Sequence, residues 1–230
     1  MKLIIDFLSL IYPNVCQICG KSLFRNEHIV CMKCKHHLPR ARFANDRDNP
    51  AAQVFWGRVP LKMVITGFLY NKGNAIQQLI HSFKYRGFKE IGIFLGAEVG
   101  AEIAKNDLCE DIAFIIPVPL HPKKQKKRGF NQSEIIANGI AAKIGAKVNT
   151  SILHRKTSSG TQTRKSKYER WQNVESIFSI KDESLLKNKH ILLVDDVITT
   201  GATIEACAQC LLQVEGVKLS VAAVAYTRSL

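Results

Sequence analysis

With 230 residues, 46% of them apolar, the chain is long enough to bury a full core and to carry a small appendage. No apolar run approaches the ~20 residues of a membrane-spanning helix, which argues against an integral membrane segment. The 33 Lys and Arg against 19 Asp and Glu leave a formal charge of +14, and that excess points to a polyanionic partner, either a phosphorylated small molecule or a nucleic acid.

Met1 to Tyr12 is apolar but short, contains Asp6 and lacks a small-residue cleavage site. It reads as an amphipathic helix packed on the protein's own body, not as a secretory leader. Seven cysteines without such a leader predict a reducing, cytoplasmic setting, with thiols and metal in place of disulfides. Cys16-x-x-Cys19 and Cys31-x-x-Cys34 follow, separated by eleven residues. Each pair forms a tight knuckle, and four thiolates with no open position predict a structural Zn2+. So short a segment cannot bury a core of its own, so the metal supplies folding energy. His36 and His37 are surplus to the ligand set and are expected to face solvent. Residues 40–60 hold Asn45, Asp46, Arg47, Asp48, Asn49 and Pro50 and read as a polar linker. The expected division is therefore a zinc module over 1–45 and a larger domain over 61–230.

From Leu61 the pattern alternates. Met63 to Tyr70 predicts a strand. Asn74 to Tyr85 predicts a helix with Ala75, Ile76, Leu79, Ile80 and Phe83 on its apolar face, closed by Gly87. Ile91 to Lys105 predicts a second helix, and Ile112 to Val118 a strand. Asn131 to Ile144 predicts a helix, with Asn131 and Glu134 at capping-box spacing and Gly145 as its stop. Ile177 to Ile180, His190 to Val194 and Val217 to Tyr226 complete the strands. Strands alternating with helices imply an α/β fold with a parallel sheet covered by helices on both faces. Cys207 and Cys210 fall on the apolar face of the helix after Gly201 and are expected in the core.

Three segments carry chemistry. In 191–203, four apolar residues lead into Asp195 and Asp196, a turn rich in hydroxyls, and a helix start. Gly201 permits the reversal, and the helix N-terminus offers unpaired N–H groups to an anion. Thr199, Thr200 and Thr203 add donors, while the two acids, which would repel phosphate, suit a sugar diol or water around Mg2+. In 117–132, Lys123, Lys124, Lys126, Lys127 and Arg128 concentrate positive charge on the same rim. Arg128 is the best placed to bind phosphate bidentately. In 154–174, Arg155, Lys156, Thr157, Gln162, Arg164 and Lys165 form a basic, glycine-containing loop of the kind that closes over a ligand and keeps out water. Tyr168 and Trp171 read as packing residues.

These motifs together resemble the ComF (ComF/GntX) family, a zinc module joined to a type I phosphoribosyltransferase-like domain. The resemblance rests on the four cysteines, H-S-F-K-Y-R-G at 81–87, P-V-P-L-H-P-K-K and R-G-F-N-Q within 117–132, T-x4-Q at 157–162, R-W-Q-N-V at 170–174 and L-L-V-D-D-V-I-T-T-G-A-T at 192–203. It implies that Asp195 and Asp196 hold the ribose hydroxyls of phosphoribosyl pyrophosphate, or a related phosphorylated ribose, and that Val197, Thr199, Thr200, Gly201, Ala202 and Thr203 wrap its 5-phosphate. It further implies a pyrophosphate loop at 119–123 with His121 and Lys123, a flexible hood bearing Arg155, Thr157, Gln162 and Lys165, and Mg2+ accompanying the ligand. The first loop departs from the family pattern, being H-P-K-K in place of an acidic, serine-bearing turn.

Two functions follow as expectations. One is a Mg-dependent phosphoribosyltransferase in which Arg128 and Lys123 stabilise the departing pyrophosphate. The other, implied by the same resemblance, is a non-catalytic module of DNA uptake that binds single-stranded DNA beside a helicase-like competence protein.

Overall fold

The computed structural model describes residues 14–43, 46–105, 111–156 and 177–227. The expected amphipathic helix at Met1–Tyr12 lies outside them. So do Cys109, Thr157, Gln162, Arg164, Lys165, Tyr168 and Trp171.

Within those residues the helices are α1 (Met32–His36), α2 (Pro50–Gln53), α3 (Ala75–Arg86), α4 (Lys89–Lys105), α5 (Pro122–Arg128), α6 (Gln132–Ile144) and α7 (Ala202–Leu211). The strands are β1 (Met63–Leu69), β2 (Ile112–Pro117), β3 (Lys147–Val148), β4 (Leu153–Arg155), β5 (Phe178–Ile180), β6 (His190–Ile198) and β7 (Lys218–Tyr226). Five strands form a parallel sheet in the order β1-β7-β6-β2-β3.

The central strands are apolar because both faces are covered. Along β6, Leu192 and Val194 enter one core with Phe83, Leu95 and Ile136 from α3, α4 and α6. Ile191 and Leu193 enter the other with Phe55, Ile204 and Leu211. This is the period-2 alternation of a strand serving two layers. The expected α/β architecture with helices on both faces is what the chain adopts.

Local chemistry sets the element ends. Asn74 Oδ1 accepts from Gln77 N at 2.9 Å and starts α3, and Gly87, at φ 75°, stops it. Asn131 Oδ1 accepts from Ser133 N and starts α6. Helices α4 and α6 cross at glycine. A Cβ on Gly96 would stand 2.2 Å from Ile136 O, and one on Gly139 2.4 Å from Ile93 O. Backbones this close leave no room for a side chain.

Three expectations are corrected. Residues 49–59 are folded, not a linker. Asn49 is fully buried, caps α2 through Ala51 N and Ala52 N, and donates to Val64 O at 2.8 Å, while Phe55 is buried against the sheet. The Asn49 amide, which makes the segment look like linker, is consumed internally. The strand at Ile177–Ile180 is absent from the parallel sheet, because β5 pairs antiparallel with β4 as a separate ribbon. Finally, the loop expected at 119–123 runs at Pro122 into a short helix, α5, closed by Gly129 at φ 79°.

The cysteine module joins the larger core. Cys16, Val30 and Leu38 are buried with Phe68 and Leu79. Lys35 and Arg40 both grip Glu98 of α4, at 2.7 and 2.6 Å. Burial would raise the Glu98 carboxyl, but these two cations hold it below its ordinary value.

Candidate functional site

The strand β6 runs further than its apolar stretch indicates. Pairing with β7 continues through Asp195↔Ala223 and Ile198↔Tyr226, because Val221–Tyr226 offers an unbroken apolar partner. The acids therefore sit inside the strand's last turn of pleat instead of beyond its end. Ser133 Oγ donates to Asp195 Oδ1 at 3.0 Å, and Asp196 N donates to the same oxygen at 2.8 Å. Burial first, and then the negative charge of Asp196, push the Asp195 carboxyl up to about 7, against the pull of those hydrogen bonds. Asp196 Oδ2 lies 2.6 Å from Lys84 Nζ of α3.

Past Ile198 the chain turns through exposed Thr199 and Thr200 to Gly201, which adopts φ 73° and caps α7. A Cβ at Gly201 would meet Phe55 and Val54 at 2.8 Å, so both backbone angle and space require glycine. No side chain caps α7. Ala202 N makes only a long contact to Thr200 Oγ1, at 3.5 Å, so this turn remains open to a ligand or water, with the helix dipole behind it. Ala202 and Thr203 are exposed on this first turn, and Val197 is half-buried below it.

Two cavities open at this end of the sheet, and neither has Asp195 or Asp196 in its wall. One of ≈ 570 Å³ lies between α3 and the end of β6, with Tyr70, His81, Lys84, Tyr85, Val197 and Thr199 in its wall. The other, of ≈ 320 Å³, brings Pro119, Leu120 and Pro122 together with Arg155 of β4. Arg155 thus lines a cavity with Pro119, Leu120 and Pro122 of the expected pyrophosphate loop, whereas His121 and Lys123 do not line it and Thr157, Gln162 and Lys165 lie outside the described residues. The basic residues of 121–128 are differently used. His121 Nδ1 accepts from Lys123 N at 3.2 Å and caps α5, leaving the Lys123 side chain in solvent. Arg128 Nη1 donates to Gln132 Oε1 at 2.8 Å, and its guanidinium covers the Tyr85 ring at 5.5 Å.

Lys84, Ser133 and Arg58 are the polar groups that the sequence reading passed over. Within H-S-F-K-Y-R-G, Lys84 stands in the last turn of α3, where a cation complements the helix dipole. Its place beside buried Phe83, four residues after Ile80, was the available signal for an inward-leaning cation. Ser133 carried no signal beyond standing early in a helix.

At the other end, the Sγ atoms of Cys16, Cys19, Cys31 and Cys34 all lie within 4.8 Å of one another. Cys19 and Cys31 sulfurs are 3.8 Å apart. Tetrahedral zinc thiolate with Zn–S of about 2.3 Å has an edge of about 3.8 Å, so the donor set fits such an ion. Burial opposes ionisation of Cys16, but backbone N–H groups of Cys19, Cys31 and Ile18 bring its thiol down to about 7. Burial and the neighbouring thiols push Cys34 up to about 12. His36 and His37 are exposed, and Cys207 and Cys210 are buried. Among the described residues no helix is long and apolar enough to cross a membrane.

A parallel sheet whose central strand ends in paired acids and a threonine-glycine turn defines a phosphoribosyltransferase-like protein. Residues 126–229 match the phosphoribosyl transferase domain. With the four-cysteine cluster ahead of that domain, the chain is similar to the ComF/YhgH family. It is similar to competence protein ComFC of Bacillus subtilis (strain 168), 28% identical over 223 residues, covering 96% of this chain and 81% of that one. It is similar also to DNA utilization protein YhgH of Escherichia coli O6:H1, 26% identical over 209 residues, covering 90% and 87% respectively. Among solved structures, glutamine phosphoribosylpyrophosphate amidotransferase from B. subtilis overlaps with a TM-score of 0.42 at 18% identity, covering 61% of this chain. The chain spans 30% of that enzyme's length.

Proposed function

We propose that this protein binds phosphoribosyl pyrophosphate, or a related 5-phosphorylated ribose, at Thr199–Thr203 and Asp195–Asp196. The observation that carries this reading is the uncapped, glycine-led N-terminus of α7 placed directly after two acids on one strand. A phosphate there accepts from the first N–H groups of the helix and from the threonine hydroxyls. The ribose diol donates to Asp196 and Asp195, whose carboxylates Lys84 and Ser133 orient. Mg2+, when bound with the ligand, screens the pyrophosphate charge and retains several waters. Arg155, and Arg128 once released from Gln132, supply the positive charge that a departing pyrophosphate needs. The four thiolates hold Zn2+ as a structural ion.

The test is a calorimetric titration of the zinc-loaded protein with phosphoribosyl pyrophosphate and Mg2+, beside the Asp195→Asn, Asp196→Asn double variant. Tight binding that the variant loses supports the site. No binding by the folded wild type refutes it.

A second reading has its own support. Helix α5 presents Lys123, Lys124, Lys126 and Lys127 to solvent, on a chain of charge +14. Such a surface suits the backbone of single-stranded DNA, in keeping with relatives named for competence and DNA utilization. Binding to an oligonucleotide should then fall steeply with salt. Affinity insensitive to salt would exclude this role.

A further inference from the structure

The segment between the metal module and β1 reaches the far side of the phosphate loop. Arg58 Nη1 donates to Thr200 O at 2.8 Å and to Val54 O at 2.9 Å. Its Nη2 pairs with the Glu205 carboxylate of α7. Val54 and Phe55 pack directly beneath Gly201. From these contacts we infer that Arg58 is a positioning residue for anion binding at Thr199–Thr203, an inference that rests on the phosphate-site reading above.

Two physical effects converge. The peptide between Thr200 and Gly201 is planar and trans, so its C=O and N–H point opposite ways. With the carbonyl held by Arg58, the Gly201 N–H faces away from that guanidinium, toward the open side of the loop. The second effect is electrostatic. Glu205 lies in the first turn of α7, where its carboxylate competes with any anion for the positive end of the helix. Pairing with Arg58 draws it toward the 54–58 segment and neutralises it. That segment is itself anchored, since Asn49 and Phe55 are buried and Arg58 bonds back to Val54 O. Arg58 acts through the loop and helix; nothing here requires it to touch the ligand.

The experiment uses the full chain, zinc-loaded, in wild-type, Arg58→Ala, Arg58→Lys and Arg58→Ala/Glu205→Gln forms. Each is titrated with phosphoribosyl pyrophosphate and Mg2+, and hydrogen exchange at Gly201–Glu205 is followed without ligand. Loss of a charged hydrogen bond on the loop predicts an affinity about tenfold weaker in Arg58→Ala, with faster exchange confined to this turn. Removing the uncompensated carboxylate in the double variant should restore part of that affinity, and Arg58→Lys should fall between. A merely structural arginine would not be rescued by Glu205→Gln. Unchanged affinity and unchanged exchange in Arg58→Ala overturn the inference. Should the wild type bind no ligand, the phosphate reading falls. Exchange then decides alone whether Arg58 orders the loop, unchanged rates overturning that too. If Arg58→Ala does not fold, Arg58→Lys carries the same comparison.

Discussion

Replacing Asp195 by Asn should make the protein more stable at neutral pH while abolishing ribose binding. The folded-state pKa of Asp195 stands near 7, against an ordinary 3.8, so the folded protein holds the proton more tightly than the unfolded chain. Stability therefore falls as pH rises from about 4 to about 7, and the full penalty is present above that. A gap of about three pH units, at about 1.4 kcal/mol each, sets a ceiling of about 4 kcal/mol. The carboxylate is only partly removed from water, which reduces the expected gain to roughly 1–2 kcal/mol. Asparagine keeps an oxygen for Ser133 Oγ and Asp196 N, and Asp196 keeps Lys84. Urea unfolding of both proteins at pH 5 and pH 8 measures the effect. The variant should gain at pH 8, gain less at pH 5, and show an unchanged m-value. A variant less stable than wild type at pH 8, or one whose advantage does not grow with pH, refutes the argument.

Lys84→Met leaves Asp196 without its partner in a half-buried site. It should cost roughly 1–3 kcal/mol in urea unfolding at pH 7.5, and a neutral result would show that the pair is solvent-screened. Gly139→Ala drives a methyl group into Ile93 O and should destabilise by about 1–3 kcal/mol or more. Thermal unfolding reads this directly, and an unchanged Tm would mean that the helices slide apart without penalty. Asp111 is held down to about 2 by His190, with Lys62 adding to the effect. Because that pKa lies below the unfolded value, its stabilising contribution is present above about pH 4 and is lost as pH falls toward 2. Asp111→Asn should thus be less stable than wild type at neutral pH, with the gap narrowing on acidification. A gap that is constant with pH would assign the effect to packing.

Much of this molecule was legible because its signals are local. Four apolar residues before two acids, glycines at 87 and 145, asparagines at 74 and 131 and two C-x-x-C pairs each act within a few residues of themselves. What escaped notice depends on partners far along the chain. Asn49 looked like linker because a polar side chain says nothing of the Val64 carbonyl waiting for it. Nothing in the sequence marks Arg58, because Thr200 and Glu205 are far away along the chain. The strand β6 was cut short at Val194 because its acids break the apolar run, whereas β7 supplies the pairing that carries it on. The charge of Lys123, Lys124, Lys126 and Lys127 is visible in the sequence, whereas the short helix that proline, histidine and glycine build there, with those side chains in solvent, is not.

The sheet order has a consequence for how the protein is made. Within the sheet strand β1 pairs with β7, Met63 opposite Ser220, while Phe68 on its outer edge bridges Arg40. A ribosome delivering about 5–20 residues per second takes on the order of ten seconds between the two strands. Throughout that interval Val64 and Ile65 are synthesised without their β7 partners, and the four-cysteine knuckles, α3 and α4 have already emerged. The nascent chain must shield an apolar strand until the far side of its own fold arrives. Early loading of the thiolate cluster, which ties Lys35 and Arg40 to Glu98 beside that strand, would give the waiting half a scaffold to rest on.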